Sequence, residues 1–256
     1  MADATIVVPC FNEADRLDGA LVLSLVDENP EVELLLVNDG SQDATHGRLV
    51  TLGDARPHRI KVLHLPQNRG KAEAVRQGLL LALEGTSSVV GYLDADFSTP
   101  VSEVTRLLVA LRQKSAMVVI GSRVSRLGSE IDRSAIRHYM GRLFATAAAL
   151  MLRISVYDTQ CGAKLFRRSP ALQAALGEPF LSRWAFDVEL LGRLLIGTQS
   201  VPGVATDGFL EVPLDVWRGV PGSKLGVRAM SAVPYEMLRI GADLQRRRRE
   251  ASLPRR

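Results

Sequence analysis

Val89-Val90-Gly91-Tyr92-Leu93-Asp94-Ala95-Asp96 reads as a buried strand that ends in two carboxylates. β-Branched and aromatic types dominate its first five positions, and turn-forming residues bound it, Gly85-Thr86-Ser87-Ser88 before and Ser98-Thr99-Pro100 after. Side chains of an extended chain alternate, so Asp94 and Asp96 are expected on one side and Ala95 on the other. Two adjacent anions repel unless a cation lies between them. A hard divalent ion bound to a diphosphate would supply that cation. The same pair also reads as solvated loop aspartates, one of them capping the helix after Pro100, so the rest of the chain has to decide.

Working outward, Thr5–Pro9, Glu33–Val37, Ile60–Leu65 and Met117–Arg123 are further apolar strands. Helical spacing follows the first at Leu17, Ala20, Leu21 and Leu25, after a polar opening at Asn12, Glu13 and Asp15. Ala72–Leu83 and Val104–Leu111 are also helical, Gly40 suits a sharp turn, and Ser41 or Asp43 suits an N-cap. Alternating apolar strands and helices predict an α/β fold with a mostly parallel sheet covered on both faces. Ligands of such sheets sit beyond the carboxyl ends of the strands. Asp39, Asn68, Asp94, Asp96 and Arg123 all fall just after a strand. No Gly-x-Gly-x-x-Gly follows the first strand and no Walker-type loop is present, which speaks against dinucleotide and P-loop enzymes.

The second half is less regular. Ile136–Ile154 reads as a long helix, Asp158-Thr159-Gln160-Cys161-Gly162 as a polar turn, Phe186–Leu195 as a helix, Phe209–Leu214 as a strand and Met230–Leu244 as a final helix running into an arginine tail. Residues 246–256 hold six arginines against one glutamate; subtracted from totals of 32 and 28, they leave 26 basic and 27 acidic side chains elsewhere. The body is therefore close to neutral, and with only 5% aromatic residues it lacks the stacking surface of a nucleic-acid binder. Cys10 and Cys161 are far apart and expected as small buried thiols, and His46, His58, His64 and His138 form no zinc-ligand pair. A strand beginning at Thr5 leaves no room for a signal peptide, and the longest apolar run, Leu143–Leu152, is about half of the roughly 20 residues that span a bilayer.

Together the motifs carry a family resemblance. Val8-Pro9-Cys10-Phe11-Asn12-Glu13, Val37-Asn38-Asp39-Gly40-Ser41, Asn68-Arg69-Gly70-Lys71, Asp94-Ala95-Asp96 and Gly121-Ser122-Arg123 resemble the inverting family-two glycosyltransferases. Asp158–Phe166, Arg183–Glu189, Glu211-Val212-Pro213 and Gly222-Ser223-Lys224 narrow this to the polyprenyl-phosphate hexosyltransferases, nearest the dolichyl-phosphate β-glucosyltransferase subgroup. The resemblance implies a single GT-A (Rossmann-like) domain over residues 1–225, with a C-terminal helix and Arg-rich tail over 226–256. It departs at Phe11, where Tyr is common, and in showing neither the N-terminal anchor of eukaryotic relatives nor the C-terminal membrane helices of several bacterial ones.

The resemblance also implies roles. Pro9, Phe11, Glu13 and Asp39 would line the nucleoside pocket, Asp94 would bind the ribose hydroxyls, and Ala95 belongs to the same nucleotide-sugar-binding set. Asp96 would hold Mg2+ or Mn2+ at the diphosphate, with Lys71 assisting. Arg123, Arg133, Arg137 and Lys224 are the candidates to position an acceptor lipid phosphate. A lipid monophosphate has a second pKa of about 6, is largely dianionic at neutral pH, and needs cations more than a base. Asp187 and Glu189 then hold sugar hydroxyls or orient an arginine; with a hydroxyl acceptor Asp187 becomes the base. The expected activity is metal-dependent, inverting transfer of a hexose, glucose first, from a nucleoside-diphosphate sugar, UDP first, to a polyprenyl phosphate. A saccharide acceptor, or a non-catalytic nucleotide-sugar-binding subunit, are the alternatives. The expected place is peripheral, on the cytoplasmic face of a membrane, touching it through the helix near Met140–Ile154 or the arginine tail, with no nucleic acid.

Overall fold

The computed structural model describes residues 3–131, 135–220 and 227–252, and the side chains of these other than 135–140, 143 and 227–232. In chain order the elements are β1 (Ala4–Cys10), α1 (Gly19–Glu28), β2 (Val32–Asp39), α2 (Thr45–Ala55), β3 (Ile60–Leu65), α3 (Lys71–Glu84), β4 (Val89–Leu93), α4 (Val101–Gln113) and β5 (Val118–Ser122). The second half adds β6 (Glu130–Ile131), α5 (Ala135–Leu152), β7 (Ala163–Arg167), α6 (Pro170–Ala175), α7 (Phe186–Ile196), β8 (Phe209–Pro213), β9 (Val216–Trp217) and α8 (Val227–Ala251).

Seven strands form one sheet in the order β3-β2-β1-β4-β7-β5-β8. All neighbours are parallel except that β7 runs antiparallel to both β4 and β5. Alternate strand residues feed two cores. Val7, Leu35, Val37, Val90 and Tyr92 face α3, α5, α6, α7 and α8, while Ile6, Val8, Leu34, Leu36 and Leu93 face α1, α2 and α4. Burial on both faces is why these strands are almost continuously apolar. The mostly parallel α/β architecture is the expected one.

The order places β2 and β3 on one side of β1 and β4 on the other. The loops after β1 and β4 therefore diverge and open a crevice at their carboxyl ends. The antiparallel β7 adds to the same edge from the opposite sense: Ala163 pairs with Leu93, so β7 begins where β4 ends.

Some local expectations shift. The polar stretch after β1 does not open a helix; Asn12 takes a left-handed φ of 48°, and α1 starts later, its cap Asp18 accepting from Ala20 N (2.9 Å) and Leu21 N (3.3 Å). The N-cap position of α2 is Ala44, not Ser41 or Asp43. Asp43 instead accepts from Thr45 N (3.0 Å) and from Ala14 N (3.1 Å) in the neighbouring loop. Cys10 and Cys161 are buried thiols, and burial pushes Cys161 up to about 11. Among the described residues no helix is long and apolar enough to cross a membrane.

Four of the six C-terminal arginines, Arg246–Arg249, belong to the folded body; the other two, Arg255 and Arg256, lie outside the described residues. Residues 246–249 continue α8, whose Met237, Ile240 and Leu244 join the core cluster against α7. Arg247 pairs with Asp243 (2.6 Å) and Glu178 (2.5 Å), Arg246 with Asp243 (2.5 Å) and Glu250 (2.8 Å), and Arg248 Nη2 donates to Met151 O (2.8 Å).

Candidate active site

The crevice is walled by two loops that hold one another. Asn12 N donates to Ser41 Oγ (3.0 Å), Gln42 N to Asn12 Oδ1 (2.9 Å) and Glu13 N to Thr45 Oγ1 (2.7 Å). These bonds set Pro9, at the end of β1, and Phe11 and Glu13 beside the turn that follows β2. Asp39 ends β2 and is 2% exposed. Its carboxylate accepts from Arg69 N (2.8 Å), Gly70 N (2.8 Å) and Asn68 Nδ2 (3.0 Å), so it shapes the loop that leads into α3. Burial pushes the Asp39 carboxyl up, and those backbone donors pull it back part of the way. Gly40 (φ +62°) is required by the same close approach, since a Cβ would lie 2.4 Å from Asn68 N.

β4 stops at Leu93, and Asp94-Ala95-Asp96-Phe97 is a turn closed by Phe97 N donating to Asp94 O (3.1 Å). Extended alternation therefore does not place the two carboxylates; the turn does. Phe97 adopts a left-handed φ of 50° while its ring is buried in the core, an uncommon conformation for an aromatic that packing has to hold. Asp94 meets Lys71 Nζ at 2.5 Å. Behind it, Asp94 N donates to Gly162 O (3.0 Å), and a Cβ on Gly162 would fall 2.0 Å from Asp94 Oδ2. Asp96 accepts from Ser98 N (3.0 Å) and turns its other oxygen toward Arg16 Nη2 at 3.8 Å. Burial works against the charge of Lys71, but Asp94, Asp187 and Asp96 outweigh it and raise its pKa, so all three carboxylates act on one ammonium.

Beneath this turn lies a buried ion pair. Lys164, on β7 and 0% exposed, donates to Asp187 Oδ1 (2.5 Å) and to Cys161 O (2.6 Å). The Tyr92 hydroxyl, from the paired strand, donates to the same Asp187 oxygen. Burial, with Asp187 beside it, drives the Tyr92 pKa well up, so the phenol keeps its proton and remains a donor. Arg123 follows β5 and grips Asp158 through Nε (2.6 Å) and Nη2 (2.8 Å), over the Trp217 ring at 5.5 Å. Burial opposes its charge, but Asp158 raises its pKa further than burial lowers it. Glu211 in turn fixes Asp158, accepting from Tyr157 N and Asp158 N (2.7 Å).

Of the residues singled out in the sequence, Lys71, Asp94, Ala95 and Asp96 come together at the crevice, with Asp39 supporting its wall and Asp187 under its floor. Asp187 is 4% exposed. Glu189 does orient an arginine, Arg193, at 2.6 Å, in the core rather than at the crevice. Arg133 and Lys224 lie outside the described residues, as does the side chain of Arg137. Arg16, Tyr92, Gly162 and Lys164 also lie against these residues, though the sequence assigns them no role; Gly162 and Lys164 fall inside the Asp158–Phe166 motif, and all four become notable through the partners that the fold brings to them. Among the described residues no three His, Cys, Asp or Glu side chains form a metal cluster. Asp96, with a hard oxygen donor and a 26% exposed side chain, fits a divalent ion whose other ligands come from a bound diphosphate.

Residues 5–173 match the family described as Glycosyl transferase family 2. This chain is a family-2 glycosyltransferase. Within the family it groups with dolichyl-phosphate β-glucosyltransferases. The Drosophila melanogaster protein of that name is 36% identical over 94% of this chain and 73% of its own length. The Saccharomyces cerevisiae one is 30% identical over 94% and 72%. A polyprenol monophosphomannose synthase of Mycolicibacterium smegmatis is 28% identical over 88% and 80%. Among solved structures, glucosyl-3-phosphoglycerate synthase from Mycobacterium tuberculosis with Mn2+, UDP-glucose and phosphoglyceric acid superposes with a TM-score of 0.65, at 20% identity over 94% of this chain and 80% of that one. Mannosyl-3-phosphoglycerate synthase from Rubrobacter xylanophilus gives 0.69, at 17% identity over 100% and 77%. At those identities the two structures establish the GT-A fold of this family-2 hexosyltransferase.

Proposed function

We propose that this glycosyltransferase moves a hexose, glucose in first place, from UDP-hexose to a polyprenyl phosphate with inversion at the anomeric carbon. The observation that carries the reading is the Asp94–Asp96 turn at the sheet's crevice with Lys71 2.5 Å from Asp94. Relatives named for dolichyl-phosphate glucosylation and polyprenol monophosphomannose synthesis support the acceptor class. The Mn2+ and UDP-glucose in a protein of the same fold support the donor and the metal.

In this reading Pro9, Phe11 and Glu13 line the nucleoside pocket, Asp39 holds its far wall, and Asp94 with the Ala95 backbone faces the ribose. Asp96 holds Mg2+ or Mn2+, which when bound neutralises the departing diphosphate. Lys71 adds a fixed positive charge to the same end. The dianionic acceptor attacks without a general base, so the buried Asp187 braces Lys164 and Tyr92 rather than removing a proton. Arg123, locked on Asp158, leaves Nη1 to orient an incoming phosphate, with Arg133, Arg137 and Lys224 the further candidates. The acceptor places the reaction at a membrane surface, on its cytoplasmic face, where nucleotide-sugars are available.

The test is transfer of radiolabelled sugar from UDP- and GDP-hexoses into organic-extractable product with undecaprenyl or dolichyl phosphate. Asp96→Ala, or excess EDTA, is expected to lower transfer at least 100-fold. Label appearing only on water-soluble saccharides would overturn the acceptor, and full activity in EDTA would overturn the metal.

A further inference from the structure

We propose that Arg16 is a second diphosphate-binding cation of the donor site, and that in the free enzyme its guanidinium occupies the side of Asp96 that a divalent ion takes. This rests on the nucleotide reading above.

Arg16 lies in the turn that follows β1. Arg16 N and Leu17 N both donate to Glu13 O, at 3.0 and 2.8 Å, and Leu17 is buried. The backbone is thus anchored on both sides of Arg16, and its side chain points into the opening between the loops after β1 and β4. There its Nη2 stands 3.8 Å from Asp96 Oδ2 and its Nη1 3.7 Å from Glu13 Oε2. Both separations are too long for hydrogen bonds. Arg16 Nε is buried and has no hydrogen-bond partner. Other buried or half-buried arginines among the described residues are different. Arg59, Arg76, Arg123 and Arg167 each bind carbonyls or carboxylates through their forks, at distances such as 2.8 Å for Arg76 to Glu73 and 2.6 Å for Arg123 to Asp158. Arg193, whose Nε also lacks a partner, spends Nη1 and Nη2 on carbonyls and on Glu189.

Arg16 is therefore a guanidinium held in position with its donors unspent, next to the carboxylate assigned to the metal. Its side chain is 23% exposed and that of Asp96 26%, so a ligand entering the crevice reaches both. The planar fork matches two oxygens of one phosphate or of adjacent phosphates, and Nη1 and Nη2, which face Glu13 and Asp96, are the end that an entering ligand meets. A diphosphate arriving at Asp96 gives Arg16 the acceptors it lacks. Without a diphosphate, the positive guanidinium repels a divalent ion from Asp96, since both need the same carboxylate oxygen. The donor and the metal are then expected to bind together, the diphosphate drawing Arg16 off Asp96 as it supplies oxygen ligands to the ion.

Two measurements test this on the full chain. In the first, calorimetry follows UDP and GDP binding in EDTA, where no metal contributes. Arg16→Met is expected to weaken UDP at least tenfold, and Arg16→Lys, which keeps the charge but loses the fork, by less. In the second, electron paramagnetic resonance follows free Mn2+ titrated with protein alone. Arg16→Met is expected to bind Mn2+ several-fold more tightly than the unaltered chain, and Arg16→Lys about equally. Weaker Mn2+ binding by Arg16→Met, or UDP affinity in EDTA within twofold for both variants, would overturn the role of Arg16 while leaving the nucleotide reading in place. Failure of the unaltered chain to bind UDP or GDP even with Mn2+ would overturn both.

Discussion

Asp94 keeps its place because Gly162 has no side chain. The two residues meet where β4 ends and β7 begins, and the carboxylate lies across the glycine's Cα, with Lys71 on its open side. Gly162→Ala would put a methyl 2.0 Å from Asp94 Oδ2, so either the carboxylate turns or β7 shifts. The expected outcome is loss of sugar transfer by at least tenfold, with a thermal midpoint within a few degrees of the unaltered protein because the clash falls at the crevice rather than in the core. A variant equally active in the transfer assay would show that Asp94 is free to sit elsewhere. The pair illustrates what the sequence conveys at this scale. Asp94, Asp96, Lys71 and Asp39 are legible because each is polar and follows or precedes an apolar run. Gly162 and Lys164 fall in the Asp158–Phe166 motif, but their roles are not legible, because these lie in a strand pairing that joins distant parts of the chain, Tyr92 to Lys164 and Leu93 to Ala163. Arg16 is hidden for the same reason, lying in one turn with its carboxylate in another.

At the scale of elements, the strand-helix alternation of residues 4–122 predicts the sheet well, since parallel strands buried on both faces carry an unbroken apolar signal. β7 escapes this logic. Its five residues carry two basic side chains, Lys164 and Arg167, and nothing in so short a run records which way it points. α8 is the other case. In sequence its arginines read as a tail beyond the last helix, a candidate for membrane contact, whereas Met237, Ile240 and Leu244 on its inner face pack against α7, and Arg246, Arg247 and Arg248 bond to the protein itself. Burying three such side chains contributes about 5 kcal/mol, comparable with the whole stability of a small domain. Ending the chain after Leu225 is therefore expected to yield an insoluble or largely unfolded product. Ending it after Arg249 keeps the helix and its core contacts and should leave the denaturant midpoint nearly unchanged. A soluble, cooperatively folding 1–225 fragment in urea would show that α8 is dispensable to the domain.

At the scale of the whole molecule, some carboxylates are held below the ordinary pKa range and others are pushed above it, with opposite acid responses. Asp3, Glu73, Glu178 and Asp243 have pKa values below the ordinary range. A hydrogen bond from Ser88 lowers that of Asp3, and Arg247 that of Glu178; for Glu73 and Asp243 burial opposes the shift, but Arg76 and the pair Arg246 and Arg247 outweigh it. Such groups bind protons less readily folded than unfolded. Their stabilisation is present above about pH 4, the ordinary value for a free carboxylate, and is lost as pH falls through the lower folded values. Asp39 and Glu189 are raised, in both cases by burial. Their ionisation costs stability at neutral pH, and that cost is relieved as pH falls through the raised folded values toward about pH 4. The two contributions order themselves along the pH axis. Stability is expected to hold or rise slightly as pH falls from neutral toward about pH 4 and to decline below it. Urea denaturation at half-unit pH steps checks this, and a steady decline beginning at pH 7 would contradict it. Asp39→Asn should flatten the upper part of the curve and leave the acid limb where it was. Glu178→Gln should make the acid limb shallower without touching the upper part, because the Glu178–Arg247 pair is then no longer there to be lost, while Arg247 keeps Asp243.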